Sequence, residues 1–377
     1  MKFPKLLLPL LFLSFLAMPA HAETIDTSAT RALLLDAETG TVLLDKNANE
    51  RMPTSSMSKT LTIYLIFEAL KEGRLHLTDE FLVSEKAWRM QGSKMFIKVG
   101  DKVKVEDLIR GVLIQSGNDS AVALAEGLAG SEQAFTDMMN AKAQQLGMTN
   151  SHFMNASGWP DPDHYSTPRD LAILAYRIIT DFPEYYHYFS EKEFTYNKIH
   201  QQNRDPLLSR LPGADGLKTG HTDIAGYGLI GSAKRGDRRL ILVMNGLPSM
   251  QAREDEGVRL MEWGFRNFES KTLAKKGDVI DTAKVWLGRE PEVPLVAAQD
   301  VKAVLPVARR SELKLTVDYT GPLQASIKKD DPVAKLRIEV PGQNPQEIKL
   351  LAGADVERQG AWARAKSRLS YLMTGAY

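Results

Sequence analysis

The stretch PTSSMSKTLTIYLIFEAL, Pro53 to Leu70, determines how the first part of this chain folds. From Leu61 to Leu70 the apolar residues point to all sides of a helix, which is typical of a helix buried on every face. Thr54 and Ser55 follow Pro53 directly, and their hydroxyl groups are of the kind that caps a helix N-terminus. The sequence therefore predicts a buried central helix, capped by Thr54 or Ser55, whose N-terminus opens onto a cleft.

Ser56 and Lys59 lie three residues apart at this N-terminus, and residues at that spacing share one face of a helix. The hydroxyl of Ser56 lies where the free N–H groups and the dipole of the helix stabilise negative charge. A serine hydroxyl attacks only when a base takes its proton, and Lys59 can be that base if its amine is neutral. Burial and a second nearby cation both lower the pKa of a lysine. The pair predicts nucleophilic catalysis, although the spacing alone also fits an ordinary serine at a helix start.

Two further short motifs strengthen this prediction. Ser116 to Asn118 interrupts a helical pattern and offers a hydroxyl and an amide in a loop. Lys218 to Gly220 lies on a predicted strand, with glycine where another group must approach the backbone. SxxK, SxN and KTG, in this order, are the motifs of penicillin-binding proteins and class A β-lactamases. All three stand in matching helix, loop and strand contexts, which indicates an active site built from three separate segments.

Three other patterns look functional and are interpreted as structural. Ser311 and Lys314 repeat the SxxK spacing, but in a strand pattern, where residues three apart point to opposite faces. Gly226 to Gly231 fits GxGxxG, yet it continues as a strand and opens no helix. Glu193 to Asn197 has the ExxxN spacing of the deacylating glutamate in β-lactamases, but it lies far downstream of the SxN motif among aromatic residues.

The composition excludes several other classes of function. Lys plus Arg is 48 and Asp plus Glu is 47, with no basic stripe, so no nucleic-acid partner is expected. The chain has no cysteine, and therefore no disulfide, thiol nucleophile or thiolate ligand. Its seven histidines are scattered and form no HExxH motif, so neither a metal nor another cofactor is expected.

Residues 1–22 read as a signal peptide. Two lysines precede the apolar stretch Leu6 to Met18, which is short for a membrane span, and Ala20 to Ala22 forms a small-x-small cleavage site. The prediction is an exported protein whose mature chain begins at Glu23. The alternative is an uncleaved membrane anchor.

The order of patterns predicts two domains. Strand patterns stand before and after a helical part at about residues 70–190, which predicts one sheet built from both ends of a domain spanning 23–270. Period-two alternation with Pro and Gly between runs predicts a small all-β domain at 271–359. Residues 360–377 read as a basic amphipathic helix, with Trp362, Leu369 and Leu372 on its apolar face. Such a helix lies well in a membrane interface, whereas a self-packed terminal helix is the alternative.

The chain resembles the low-molecular-mass penicillin-binding proteins that are serine-type D-alanyl-D-alanine carboxypeptidases. The resemblance rests on ANERMPTSSMSKT, GSKMF, LIRGVLIQSGNDSAVALAE, DGLKTGHTDIAGYGLIGSA and QAREDEGVRLMEWGF, and it continues through the β domain and the tail. One departure is Ser157, where some relatives carry a histidine. The resemblance implies a penicillin-recognising, serine β-lactamase-like α/β fold, with an antiparallel sheet and a helical subdomain on either side of the active site.

The resemblance also implies a substrate, an inhibitor and a location. The substrate is the pentapeptide stem of peptidoglycan, and β-lactam antibiotics inhibit the enzyme covalently. The protein is expected in the periplasm, held through its C-terminal helix on the outer face of the inner membrane.

Catalytic roles follow from the same resemblance. Ser56 attacks the carbonyl of the penultimate D-Ala while Lys59 takes its proton. The backbone N–H groups of Ser56 and His221 hold the oxyanion, and the His221 side chain is interpreted as structural. Ser116 passes a proton to the leaving amine, and Lys218 supports it electrostatically.

Substrate binding is assigned in the same way. Asn118 orients the substrate amide, and Thr219 and Arg253 bind the terminal carboxylate, for which a guanidinium is well shaped. Gly220 belongs to the same binding strand. The alternatives are a helix-capping role for Asn118 and a surface ion pair for Arg253.

Two other functions remain open at this point. A class A-like β-lactamase shares the nucleophile but needs a glutamate soon after the SxN motif, and none stands there. The second alternative is a non-catalytic cell-wall binding protein. Such a protein needs none of the three motifs, so the presence of all three speaks against it.

Overall fold

The computed structural model of the protein describes residues 25–374, and the predicted signal peptide lies outside them. Among these residues the α-helices are α1 (Lys59–Lys71), α2 (Glu85–Arg89), α3 (Val105–Leu113), α4 (Asn118–Ala129), α5 (Glu132–Leu146), α6 (Pro168–Asp181), α7 (Leu207–Arg210), α8 (Met250–Asn267) and α9 (Ala361–Thr374). The strands are β1 (Arg31–Asp36), β2 (Val42–Lys46), β3 (Glu80–Leu82), β4 (Lys102–Lys104), β5 (Glu193–Tyr196), β6 (Ile199–Gln202), β7 (Ala214–Thr222), β8 (Gly226–Arg235), β9 (Arg238–Leu247), β10 (Phe268–Ala274), β11 (Val279–Trp286), β12 (Glu292–Ala297), β13 (Val301–Pro306), β14 (Lys314–Asp318), β15 (Leu323–Gln324), β16 (Pro332–Glu339) and β17 (Gln346–Ala352). Short 3₁₀ helices occupy Ser55–Ser58, Tyr186–Ser190 and Val307–Glu312.

A five-stranded antiparallel sheet in the order β2-β1-β9-β8-β7 forms the centre of the first domain. The N-terminal hairpin joins strands from more than 200 residues later, because Leu34 pairs with both Leu44 and Leu242. The chain therefore closes one sheet from both ends of the domain, as predicted. Strand β7 is an edge strand, and its free edge faces the helical part.

The sheet is buried on both faces, since successive residues of a strand point to opposite sides. Ile241 and Val243 belong to the core formed with α1 and α6. Leu242 and Met244 belong to a second core that includes Leu260 of α8. This layering of helices on both faces of the sheet holds β7 rigidly at the edge where the predicted motifs meet.

Helix α1 is buried on nearly every side, as its apolar run predicts; the side chains of Leu61, Ile63 and Phe67 are fully inaccessible. The predicted start of the helix is wrong, because α1 begins at Lys59 and Ser56 lies on the preceding 3₁₀ turn. Residues three apart are eclipsed in a 3₁₀ turn, so Ser56 and Lys59 still share a face. The predicted cap is also wrong, since neither the 3₁₀ turn nor α1 has a side-chain cap.

The helical part carries the SxN motif at a break between α3 and α4. Ser116 has a positive φ of 66°, a left-handed backbone conformation that neither helix can contain. The break exposes the Ser116 hydroxyl to the cleft while Asn118 opens the next helix. The predicted interruption is confirmed in this way.

The C-terminal domain is all-β, as predicted. Its larger sheet has the order β14-β16-β17-β12-β11-β15, and β10 pairs with β13 in a smaller sheet. Its core is separate from that of the first domain and includes Val293, Leu295 and Leu336.

Helix α9 follows the β domain and presents apolar side chains to solvent. Trp362 is 91% exposed and Leu372 is 80% exposed. Tyr371 packs edge-to-face against Trp286 with ring centroids 5.2 Å apart. No helix within residues 25–374 is both long and apolar enough to cross a membrane.

Candidate active site

Lys59 lies at the centre of the candidate site and is completely buried. Its Nζ lies 2.8 Å from Ser56 Oγ, 2.6 Å from Asn118 Oδ1 and 2.6 Å from the backbone carbonyl oxygen of Ser157. The three partners come from three segments: the 3₁₀ turn, the start of α4, and the loop that precedes α6. The amine is therefore fixed in position from three sides.

The surroundings of Lys59 favour its neutral form. Burial lowers the pKa of Lys59 well below that of a free lysine, and the cations of Lys218 and Arg204 lower it further. Asp119 acts in the opposite direction but does not reverse the shift. A neutral amine has two N–H donors and one lone pair. The donors match the oxygens of Asn118 and Ser157, which leaves the lone pair for the hydroxyl proton of Ser56.

Asn118 orients this amine through both ends of its amide. Oδ1 accepts from Lys59 Nζ, and Nδ2 donates to the backbone carbonyl of Gln91 at 2.7 Å. Asn118 forms no side-chain cap on α4, so the capping interpretation is wrong. This contact with Lys59 is a role that the sequence analysis did not assign.

A second serine–lysine pair faces the first across the cleft. Lys218 Nζ donates to Ser116 Oγ at 2.9 Å and to the backbone carbonyl of Thr219 at 3.2 Å. Burial, together with the cations of Arg204 and Arg253, lowers the pKa of Lys218 to about 7. Near neutral pH this amine therefore exists in both protonation states, and small electrostatic changes move the balance.

Gly220 allows strand β7 to approach the nucleophile turn. A Cβ at this position would lie 2.9 Å from the carbonyl oxygen of Thr54 and 3.2 Å from the Cβ of Ser55. The first distance is shorter than real Cβ atoms show against backbone. Glycine is therefore required here for close approach, as the KTG motif predicts, and not for its backbone angles.

Arg253 is a buried cation at the far end of the cleft. Its side chain lies over the ring of Tyr227 with 5.6 Å between guanidinium carbon and ring centroid, and burial lowers its pKa. Its Nε has no hydrogen-bond partner. The surface ion-pair interpretation is wrong, because Arg210 pairs with the neighbouring Glu254 and Asp255 instead.

Two residues of the cleft were missed by the sequence analysis. Arg204 donates to Ser93 Oγ at 2.6 Å and contributes a third cation near the two lysines. Asp205 is buried beside it, its Oδ1 accepts from the N–H of Leu207 at 2.9 Å, and its Oδ2 has no partner. The only sequence signal was the Asn-Arg-Asp-Pro run before the KTG strand, which resembles a loop.

These residues surround a cavity of about 560 Å³. Six of the predicted residues line it: Ser56, Ser116, Thr219, Gly220, His221 and Arg253. Lys59, Asn118 and Lys218 lie behind the lining and contact it through their polar ends. The His221 ring is exposed and stacks on Tyr227 with ring centroids 3.9 Å apart.

The patterns interpreted as structural lie elsewhere. Ser311 is in a 3₁₀ helix and Lys314 is in β14, and both are exposed. The second SxxK repeat therefore spans two elements and does not lie on the single strand that its pattern predicted. Glu193 is on the exposed β5–β6 hairpin beside His200. Gly228 and Gly231 are sheet positions where a Cβ would meet Met57 and Leu207.

Comparison with known proteins matches this geometry to a family. The model of the D-alanyl-D-alanine carboxypeptidase family matches residues 17–248, and that of the penicillin-binding protein 5 C-terminal domain matches residues 268–358. The chain belongs to the D-alanyl-D-alanine carboxypeptidase family. The family, enzyme class and fold predicted from the sequence are confirmed.

Individual members of the family are similar over most of their length. D-alanyl-D-alanine carboxypeptidase DacC of Escherichia coli K12 is 40% identical over 91% of this chain and 88% of its own. The crystal structure of penicillin-binding protein 5 from Haemophilus influenzae matches with a TM-score of 0.80 at 38% identity, over 89% of this chain and 99% of its own. The ampicillin-bound penicillin-binding protein D2 of Listeria monocytogenes matches with a TM-score of 0.59 at 32% identity, over 64% of this chain and 99% of its own chain.

Proposed function

We propose that this family member removes the terminal D-Ala from peptidoglycan pentapeptide stems through an acyl-enzyme on Ser56. The contact between Lys59 Nζ and Ser56 Oγ at 2.8 Å is the observation that carries the proposal. It places a buried amine with a lowered pKa within reach of a hydroxyl proton. The substrate class comes from the family, whose members are carboxypeptidases acting on D-alanyl-D-alanine.

Acylation begins when Ser56 Oγ attacks the carbonyl carbon of the penultimate D-Ala. The hydroxyl proton moves to the lone pair of Lys59 Nζ as the new C–O bond forms. Backbone N–H groups of Ser56 and His221 stabilise the oxyanion, and removing one such donor typically costs about a hundred- to a thousandfold. The cleavage of the C–N bond then releases D-Ala, with the proton passing through Ser116 to the leaving amine.

The other residues of the cleft hold the substrate and the protons. Asn118 orients the substrate amide and also the Lys59 amine, and Lys218 stabilises charge at Ser116. Thr219 and Arg253 bind the terminal carboxylate, and Gly220 belongs to the same binding strand. Hydrolysis by water regenerates Ser56, with Lys59 neutral again and able to act as base.

A direct test measures D-Ala release from a pentapeptide by wild type and by Ser56→Ala. We expect release by wild type and a loss of at least about a thousandfold in the variant, since the nucleophile is removed. A labelled penicillin should form a long-lived adduct that maps to the peptide containing Ser56. Equal release by both proteins, or an adduct on another side chain, would refute the mechanism.

The β-lactamase alternative differs in the second half-reaction. Glu193, which has the ExxxN spacing, lies on an exposed hairpin and does not line the cleft. Rapid turnover of penicillin to penicilloic acid would favour the β-lactamase, and a slowly hydrolysed adduct favours the carboxypeptidase.

We propose further that the protein is exported and acts in the periplasm, peripherally bound to the inner membrane through residues 360–377. The exposed apolar side chains of α9 support membrane contact, since a tryptophan in this position has no partner in the described residues. The proposed domain limits are 23–270, 271–359 and 360–377. The separate core of the β domain supports the middle limit.

A further inference from the structure

A buried hydrogen-bonded chain lies directly beneath the nucleophile turn and takes no part in the mechanism above. His164 Nε2 lies 2.6 Å from Ser58 Oγ, and Ser58 Oγ bonds in turn to Thr54 Oγ1. Thr54 and Ser58 flank Ser56 on either side, and all three network residues are nearly or fully inaccessible to solvent. The ring of His164 also packs edge-to-face on Phe153 with centroids 5.4 Å apart.

The backbone fixes the tautomer of His164 and therefore the direction of its hydrogen bond to Ser58. His164 Nδ1 accepts a hydrogen bond from the N–H of Met154 at 3.2 Å. A neutral imidazole with an accepting Nδ1 carries its proton on Nε2. Nε2 thus donates to Ser58 Oγ, which is also hydrogen-bonded to Thr54 Oγ1. This direction excludes the pair as a second serine nucleophile with a histidine base, because the nitrogen beside the serine already carries a proton.

The network joins the two walls of the site that hold Lys59. One wall is the 3₁₀ turn with Ser56, and the other is the loop at residues 155–165, whose Ser157 carbonyl accepts from Lys59. These walls touch at Gly158, where a Cβ would lie 1.8 Å from the carbonyl oxygen of Ser55. The side chain of His164, which belongs to that loop, forms a hydrogen bond with Ser58 of the 3₁₀ turn.

We propose that His164 is a positioning residue for acylation: acting through Ser58, it holds the turn with Ser56 and the loop with Ser157 in the register that places Lys59 Nζ beside the Ser56 hydroxyl. This inference rests on the proposed function. The residue touches no reacting atom, and its effect is on the approach of base and nucleophile. Small displacements between reacting groups have large effects on rate.

The test measures the rate constant for acylation by labelled penicillin in full-length wild type, His164→Leu and His164→Gln. Leucine removes both hydrogen bonds, and we expect acylation to slow about 10- to 100-fold. Glutamine offers a neutral donor and acceptor about as far apart as the two ring nitrogens, and we expect a rate within about threefold of wild type. His187→Gln, an exposed histidine away from the site, is the matched control.

The pH dependence of acylation separates positioning from mere stability. The ionisable groups that face the His164 ring are Asp161, His152 and Lys59. If the loop loosens, water reaches Lys59 and its pKa rises, because desolvation is what lowers it most. The acid limb of the profile should therefore move to higher pH in His164→Leu but stay in place in His164→Gln. A residue that only stabilised the fold would lower the melting temperature and leave this limb unchanged.

Ser58→Ala tests the same hydrogen bond by removing the partner of His164, and it keeps the inference testable if His164→Leu fails to fold. It removes the acceptor of Nε2–H, and we expect slower acylation in the same range. Acylation at the wild-type rate and with the wild-type pH profile, in either folded variant, would overturn the inference while leaving the proposed function intact. A wild type that takes no label on Ser56 would instead overturn the proposed function, and this inference with it.

Discussion

The cation of Lys218 lowers the pKa of Lys59, although the two amines bind different serines on opposite walls of the cleft. Burial has the larger effect, and the neighbouring cation adds to it. The second serine–lysine pair therefore acts electrostatically on the amine of the first. The charge on Lys218 thereby favours the neutral form of Lys59 that the proposed base needs.

This coupling predicts the behaviour of Lys218→Gln. Removing the cation should raise the pKa of Lys59, so that less of the neutral base is present at a given pH. We expect slower acylation overall and an acid limb displaced to higher pH, as measured by labelled-penicillin kinetics between pH 5 and 9. An acid limb at the wild-type pH would show that the amines are not coupled. Lys234→Gln, an exposed lysine on strand β8, is the control.

Asp205→Asn should stabilise the protein at neutral pH more than at pH 4. Burial raises the pKa of Asp205 from its ordinary 3.8 to about 6. A carboxyl whose pKa is raised in the folded state stabilises the fold below about pH 4, and this contribution is lost as pH rises through 6. The shift corresponds to about 1–3 kcal/mol of unfolding free energy, and asparagine retains the contact with Leu207 N–H. Melting temperatures across this pH range check the prediction; a difference independent of pH contradicts it.

The same substitution should lower activity at slightly alkaline pH. The carboxylate of Asp205 raises the pKa of Lys218, which lies near 7. Without that charge, Lys218 loses its proton at lower pH and supports Ser116 less well. We expect the alkaline limb of kcat/KM for D-Ala release to move to lower pH, with the acid limb nearly unchanged. An alkaline limb that does not move would show that Lys218 is not the group that titrates there.

Gly220→Ala tests the close packing of strand β7 on the nucleophile turn. The added methyl group meets the backbone of Thr54, which cannot move without displacing Ser56. We expect acylation to slow about 10- to 100-fold, with little loss of secondary structure by circular dichroism. Gly360→Ala is the matched control, because nothing lies within 4 Å of a Cβ at that position. Acylation of both variants at the wild-type rate would contradict the packing argument.

Arg253→Gln should abolish the preference for a free terminal carboxylate. The guanidinium is buried, and the ion pairs with Glu254 and Asp255 belong to Arg210, so Arg253 is available for a substrate anion. A charge-assisted hydrogen bond contributes about 1.5–3 kcal/mol, or about 10- to 100-fold in kcat/KM. Comparing peptides that end in D-Ala-D-Ala with their C-terminal amides gives the measurement. If the variant keeps the wild-type preference, another group binds the carboxylate.

Removal of residues 360–377 should release the protein from membranes and leave D-Ala release intact. The exposed side chains of Trp362, Leu369 and Leu372 give α9 an apolar surface, and Arg364 and Lys366 suit anionic headgroups. Cosedimentation with anionic vesicles checks this, and Trp362→Ala should weaken binding partially. Unchanged sedimentation of the truncated protein would exclude the tail as the anchor.

Much of the fold could be predicted because local patterns repeat along the chain. The apolar run of α1 and the period-two alternation in β16 are each set by neighbours in sequence. The α1 boundary and its cap were predicted wrongly, since the Thr54 hydroxyl bonds to Ser58, and Ser58 bonds in turn to His164, so that neither caps the start of the helix. Tertiary packing overrode the local preference there.

The sequence by itself determined which chemistry this protein carries, because SxxK, SxN and KTG specify the reacting groups by type and order. Only the tertiary structure decided how those groups are positioned and which distant residues contact them. The Ser157 carbonyl reaches Lys59 across 98 residues, and His164 reaches Ser58 across 106. Neither contact has a local sequence signature. Burial brings such distant polar groups together because each needs a partner once water is excluded.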